Sequence, residues 1–224
     1  MSQLILLRHG ESEFNKLNIF TGWLDVGLSS NGVKEAVLAG KKLQENNIDC
    51  IFTSTLTRAQ QTAMLLMTAK PDSKPPIIIS QTKSEHEPAT TIDEIKDKCT
   101  PLISDWRLNE RHYGKLQGLN KKDAAEKYGE NQVALWRRGF EDTPPGGESL
   151  KSTMERTIPA MQELILPKLN QDQTVLVVAH GNSLRSIIMH IENITPQAIS
   201  GFEIATAEPI FYEFDISSGH FSKA

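Results

Sequence analysis

The sequence predicts an α/β fold. Three short apolar runs, Leu4–Leu7, Cys50–Phe52 and Thr174–Ala179, have the length and composition of buried strands. Each is followed by polar residues and then by a stretch that reads as helix. Strands alternating with helices build a sheet with helices packed on it. The chain has 224 residues, of which 38% are hydrophobic, enough to bury a core without staples.

Composition narrows the function classes. The net charge of −4 gives no global basic footprint for nucleic acid. Cys50 and Cys99 are the two cysteines, which make neither a disulfide framework nor a zinc signature. There is no charged n-region before a long apolar core, and no apolar run of about 20 residues that would span a bilayer. The expectation is a protein of a reducing, cytoplasmic compartment with no membrane or nucleic-acid partner.

The elements follow in order. After the first strand, Ser12–Lys16 reads as a short helical turn, and Phe20-Thr21-Gly22-Trp23 as a loop with an aromatic anchor. Ser30–Asn46 has helical spacing, with Ser29 or Ser30 as N-cap. The strand Cys50–Phe52 ends at Thr53-Ser54, and an amphipathic helix follows over Leu56–Thr68. Ala69–Asp105 carries five of the eleven prolines and no aromatic residue. It reads as an insertion in a single domain spanning 1–224, with a strand at Ile77–Ile79, a loop at Ser80–Thr91 and a short helix at Ile92–Lys98. Asn120–Tyr128 and Glu130–Arg138 read as helices separated by Gly129. Ser149 can cap a long helix to about Leu169, bent by Pro159. Thr174–Ala179 is the clearest strand, with a helix after it through Ile191. Ile210–Phe214 is a further strand and Ser217–Ala224 a polar tail.

Chemistry concentrates at strand ends. LILLRHG near the start recurs loosely as VLVVAHG near the end, each a strand followed by His-Gly and a helix. In an open α/β sheet, ligands bind outside the carboxyl ends of the strands. Neighbouring strands would therefore bring His9 and His180 to one pocket, with Arg8 and Arg58 at strand ends beside them. Arg58 falls in the first turn of its helix, where a cation opposes the dipole; such a cost is consistent with a ligand. Guanidinium groups grip phosphate with paired donors, so the site suits an anion. No His-x-x-x-His or carboxylate pair supports a divalent metal, no G-x-S-x-G elbow supports a serine hydrolase, and no G-x-x-x-x-G-K-[ST] supports a P-loop. Taken without other information, Glu110 reads as a salt-bridged surface carboxylate. Arg137 and Arg138 read as cations favouring a helix C-terminus.

Arg8-His9-Gly10-Glu11 resembles the signature of the histidine phosphatase superfamily. Further blocks extend the match: Asn15, Phe20-Thr21-Gly22-Trp23, Arg58-Ala59, Glu110-Arg111-His112-Tyr113-Gly114, Leu119-Asn120-Lys121, Trp136-Arg137-Arg138 and His180-Gly181-Asn182-Ser183-Leu184-Arg185. In this order they resemble the cofactor-dependent phosphoglycerate mutases, over most of the chain outside Ala69–Asp105. The resemblance implies a three-layer sandwich with a mostly parallel central sheet and helices on both faces. It implies interconversion of 3-phosphoglycerate and 2-phosphoglycerate, 2,3-bisphosphoglycerate as phosphoryl primer, and no metal. By the same resemblance His9 is the phosphorylated nucleophile, and Arg8, Arg58 and His180 bind the transferring group with Asn15 beside them. Glu110 is the general acid and base. Thr21, Gly22, Arg111, Tyr113, Lys121, Arg137 and Arg138 hold the substrate. Gly181 and Asn182 shape the phosphate site, and His112 is counted with the ERHYG block as a substrate contact. The presence of both His9 and Glu110 argues against a silent phospho-ligand module. The Lys121, Arg137 and Arg138 set argues against a broad phosphatase on the same fold.

The chain departs from the family pattern in several places. Phe14 replaces the usual tryptophan, Ala69–Asp105 is long, the run after Pro145 is short, and the chain stops soon after its last strand. The last two imply a more open pocket with more loss of the phosphoryl group to water, and they leave a homo-oligomer open.

Overall fold

The computed structural model describes residues 2–79 and 97–224. Seven strands form one sheet in the order β3-β4-β2-β5-β1-β6-β7. They are β1 (Ser2–Arg8), β2 (Cys50–Thr53), β3 (Pro76–Ile79), β4 (Thr100–Ser104), β5 (Thr174–Ala179), β6 (Pro209–Asp215) and β7 (His220–Lys223). β6 runs antiparallel to both its neighbours, while the pairings from β3 through β1 are parallel.

Alternation along the strands makes the two faces. Leu4, Leu6, Val175 and Val177 point into one apolar cluster, and Ile5, Leu7, Leu176 and Val178 into the other. The second cluster is closed by α2 (Ser30–Lys42) and α3 (Thr57–Ala69) through Ala39, Leu43, Ala63 and Leu66. The first is closed by a long helical segment and the helix after β5. That long segment runs as α6 (Leu150–Ala160), a π-helical turn at Met161–Ile165, and α7 (Leu166–Leu169). Pro159 and Pro167 each lack the N–H that an α-helix needs, and the wider turn lies between them. The expected bend is thus a change of register. Helices on both faces of a mostly parallel sheet match the expected sandwich.

The site lies beyond the strand ends. There sit α1 (Glu13–Lys16, capped by Ser12), single 3₁₀ turns at Trp106–Leu108 and Gly114–Leu116, α4 (Lys121–Tyr128) and α5 (Glu130–Arg138). A small cluster of Phe20, Leu116, Ala124 and Val133 packs these pieces together. The turn after β1 is pressed against the start of α2. A Cβ on Gly10 would stand 2.5 Å from the Gly32 carbonyl oxygen, and one on Gly32 would stand 2.0 Å from the Glu11 carbonyl oxygen. Both positions need glycine for that approach.

Three features differ from the sequence expectations. Ser217–Ala224 holds β7, which pairs with β6 across a turn at Gly219 (φ +70°). Its exposed edge position lets it be polar, so it reads as a tail. Thr100–Ser104 is a strand inside the sheet despite Pro101. The short helix Pro196–Ile199 carries little periodicity. β3 and β4 put both ends of the proline-rich stretch into the main sheet. Its middle lies outside the described residues, and so do the loop at Ser80–Thr91, most of the helix expected at Ile92–Lys98, and His86.

Candidate active site

β1 and β5 are neighbours, with Arg8 opposite Ala179, and the His9 N–H donates to the Ala179 carbonyl at 3.0 Å. His9 and His180 therefore leave the sheet side by side, their ring centroids 4.9 Å apart. In front of His9 opens a cavity of about 350 Å³. Arg8, Arg58, Lys121, Arg137, Arg138 and Arg185 line it, against two carboxylates, Glu110 and Glu203.

His9 is 3% exposed. Its Nδ1 donates to the Gly10 carbonyl at 2.7 Å, which leaves Nε2 with the lone pair. Burial, then Arg58, then Arg8 hold its pKa well below the usual imidazole value, against the Gly10 hydrogen bond. The ring is a neutral base at neutral pH. His180 is depressed likewise, by burial and then by Arg58. Its Nε2 lies 2.7 Å from Ser54 Oγ, and that oxygen also accepts the Leu56 N–H at 3.2 Å.

The arginines are held by carbonyl oxygens. Arg8 Nη1 donates to Ile204 O at 2.8 Å; Arg58 donates to Gly22 O at 2.7 Å and Leu24 O at 3.1 Å. Both keep a buried Nε that finds no partner among the described residues. Burial lowers Arg58 to about 10, against the favourable charges of Glu110 and Asp25, so it is cationic at neutral pH. Lys121, at the first position of α4, is lowered to about 8 by burial and then by Arg137, Arg8 and Arg138.

Glu110 faces His9's cavity from the turn after Trp106–Leu108. Its Oε1 accepts from Arg111 N at 2.7 Å, Asn182 Nδ2 at 2.8 Å and Asn182 N at 3.2 Å. No donor among the described residues is recorded on Oε2. The backbone beneath it is locked: Glu110 O accepts from Trp23 Nε1 at 2.6 Å and Arg156 Nη2 at 2.9 Å. Arg156 also donates to Arg107 O and Asn109 O and pairs with Glu148 at 2.8 Å. Asn182 and Gly181 open the helix α8 (Gly181–Ile191), whose N-terminus adds positive potential at the cavity.

The structure brings Arg8, His9, Asn15, Thr21, Gly22, Arg58, Glu110, Tyr113, Lys121, Arg137, Arg138, Gly181 and Asn182 to this one cavity wall. His180 stands fully buried behind His9. Arg111 is also fully buried, donating to the Arg137 carbonyl, so it underpins the wall. His112, expected as a substrate contact, is not on the cavity wall. Its Nδ1 accepts the Gly114 N–H, and its ring meets Trp23 edge-on at 5.4 Å, so it belongs to the packing under the loop. Arg185, Glu203 and the carbonyl-clamping Arg156 went unassigned in the sequence. Helical spacing offered a signal for Arg185, one turn after Gly181.

A neutral buried imidazole, a set of cations of which Arg8, Arg58 and Arg185 are tethered to carbonyl oxygens, and a facing carboxylate define a pocket fit for phosphoryl groups. Comparison with known proteins agrees. The model of the histidine phosphatase superfamily (branch 1) matches residues 4–82 and 75–222. The chain is 46% identical over 217 residues to the 2,3-bisphosphoglycerate-dependent phosphoglycerate mutase of Protochlamydia amoebophila, covering 96% of each. It is 47% identical over 212 residues to the protein of the same name from Chlamydia felis, covering 95% of this chain and 93% of that one. Among solved structures, Bacillus stearothermophilus YhfR superposes with a TM-score of 0.79 at 22% identity, over 100% of this chain and 96% of that one. A mycobacterial glucosyl-3-phosphoglycerate phosphatase gives 0.77 at 24%, over 100% and 98%. These two share the fold. The chain belongs to the histidine phosphatase superfamily and, within it, to the family of the 2,3-bisphosphoglycerate-dependent phosphoglycerate mutases.

Proposed function

We propose that this protein interconverts 3-phosphoglycerate and 2-phosphoglycerate through a phosphohistidine on His9, in the cytoplasm. The observation that carries the reading is the pairing of a neutral His9, its Nε2 free, with Glu110 in one cationic cavity. 2,3-Bisphosphoglycerate, when bound, supplies the phosphoryl group that primes His9. The cavity suits such a ligand: six cations against two carboxylates leave a surplus of positive charge for a carboxylate and two phosphates. The buried Nε atoms of Arg8, Arg58 and Arg185 add unused donors.

The roles follow from position. The Nε2 lone pair of His9 forms a bond to phosphorus as the phosphorus–oxygen ester bond breaks, and Glu110 gives its proton to the departing oxygen. In the reverse sense Glu110 takes the proton of the attacking hydroxyl as its oxygen forms the bond to phosphorus and the nitrogen–phosphorus bond breaks. Arg8 and Arg58 neutralise charge on the equatorial oxygens. Thr21, Gly22, Tyr113, Lys121, Arg137 and Arg138 hold the carboxylate and second phosphate in place.

The test is conversion of 3- to 2-phosphoglycerate with and without added 2,3-bisphosphoglycerate, with a strong chelator present throughout. Dependence on the primer is expected, with loss of both turnover and acid-labile phosphoenzyme in His9→Ala. Stoichiometric acid-labile phosphate on His9→Ala, or activity that needs an added divalent ion, refutes the reading.

A further inference from the structure

Arg185 lies three residues after Asn182 and four after Gly181 in α8, so the three share one face of the helix at the cavity. Its side chain is buried. Nη1 donates to Asn182 Oδ1 at 3.2 Å, and Nη2 donates to the Ile199 carbonyl. Burial first, then the charges of Arg111 and Arg138, lower its pKa to about 10, while Tyr113 and Glu110 act the other way. At neutral pH it remains a guanidinium, and a guanidinium only donates.

That decides which way the Asn182 amide faces. Its acceptor end, Oδ1, must turn to Arg185, so its donor end turns to Glu110. There Nδ2 donates to Glu110 Oε1 at 2.8 Å and lies 3.3 Å from the Tyr113 hydroxyl. The reversed amide would set NH₂ against a guanidinium and a carbonyl oxygen against a carboxylate, two repulsive contacts in a buried place. With three donors gathered on Oε1, the carboxylate presents Oε2 toward Gly181, where a Cβ would lie 3.7 Å from it and 3.8 Å from Arg8 Nε.

We infer that Arg185 is a positioning residue for Glu110, selecting through the Asn182 amide which carboxylate oxygen is free to move the substrate's proton. The inference rests on the acid–base role proposed above for Glu110, but the amide contact itself does not. The competing role is direct: Arg185 also borders the cavity and has its own unpartnered Nε for an anion.

The experiment separates these. In the ligand-free protein, the Asn182 side-chain amide protons are identified by NMR as the pair missing from Asn182→Ala. They are expected to exchange with water at least about tenfold faster in Arg185→Met than in wild type, with Arg185→Lys close to wild type. In turnover, Arg185→Met lowers kcat about tenfold with KM within about threefold, the size of losing one hydrogen bond to a charged group. Arg185→Lys recovers most of it. In an Asn182→Ala background, Arg185→Met lowers kcat by less than about twofold further, because the relay is already gone. Unchanged amide exchange overturns the inference, and so do kcat losses that multiply in the double variant, which would assign Arg185 to direct anion binding. If Arg185→Met does not fold, Arg185→Gln, which keeps a polar side chain but not the guanidinium, carries the cycle: a kcat loss in the wild-type background, absent with Asn182→Ala. A wild-type chain without mutase activity would refute the proposed function while the amide exchange still decides the contact.

Discussion

Glu110→Gln separates proton transfer from binding. The structure fixes what this substitution keeps. Oε1 carries three hydrogen bonds, from Arg111 N, Asn182 Nδ2 and Asn182 N, and the glutamine carbonyl oxygen can accept all three. The side chain stays in place, and the loop clamp of Trp23 and Arg156 on the Glu110 carbonyl is untouched. What is lost is the oxygen that takes and returns a proton, replaced by an NH₂ that does neither. A positioned acid–base group contributes about 10²–10⁴-fold, so kcat is expected to fall about 100-fold or more, equivalent to at least ~2.7 kcal/mol of barrier. Removing a negative charge from a cavity that binds anions does not weaken binding, so 3-phosphoglycerate should bind within roughly an order of magnitude of wild type. Steady-state turnover gives the first number and calorimetric titration of 3-phosphoglycerate the second. Unchanged turnover would return Glu110 to a plain structural carboxylate. A weakened Kd with intact kcat would make it a binding group and refute the proton assignment.

Two further outcomes follow from the titrating groups. Lys121 is lowered to about 8, so its charge is lost above that pH, and KM for 3-phosphoglycerate should rise about fivefold or more between pH 7.5 and 9; Lys121→Arg should flatten that limb, and an identical KM profile in the two proteins counts against the contact. His9 is neutral in the fold while an unfolded chain protonates it near 6.5, so stability is full above that pH and falls as pH drops below it. The slope is at most ~1.4 kcal/mol per pH unit for this histidine, or about 3–5 °C in Tm for a chain of this length. His9→Gln should remove that slope between pH 6.5 and 5, and parallel melting curves would show that His9 is not held neutral.

Much of the fold was legible because the strong signals are local. The apolar runs at Leu4–Leu7, Cys50–Phe52 and Thr174–Ala179 are strands, and Ser29 and Ser149 are N-caps. The misses are places where tertiary context outweighs local rules. Pro101 punctuates the sequence, yet Pro101 pairs with Ile77 on one side of β4 while Leu102 and Ile103 pair with β2 on the other. β7 exposes most of its side chains and is fixed mainly by pairing with β6 and by Phe221 against Phe214. Neither fact can be read from a window of a few residues.

The site divides along a different line. Residues at the cavity or directly behind it sit at strand ends or in compact blocks, where pattern points to them: His9 after β1, His180 buried behind it after β5, Arg58 in the first turn of α3. Residues that hold those groups in place act across the fold, and spacing is silent about them. Arg156 lies 46 residues from Glu110 and Ser54 lies 126 from His180, yet each is in contact with it. The same distinction explains how the cavity stays positive. A buried arginine usually requires a carboxylate, and a carboxylate would cancel the charge that a phosphate needs. Here Arg8, Arg58, Arg111 and Arg185 satisfy donors on the carbonyl oxygens of Ile204, Gly22 and Leu24, Arg137, and Ile199. A carbonyl dipole fixes the guanidinium without neutralising it, and several Nε donors are left over. On the wall, Arg138 pairs with the carboxylate of Glu203; Arg156, paired bidentately with Glu148, stands outside the cavity wall and has the structural task. Charge is thus left uncancelled on Arg8 and Arg58 beside His9 and cancelled on Arg156 where the loop must simply be held, a division that exists only once distant carbonyls have been brought to the strand ends.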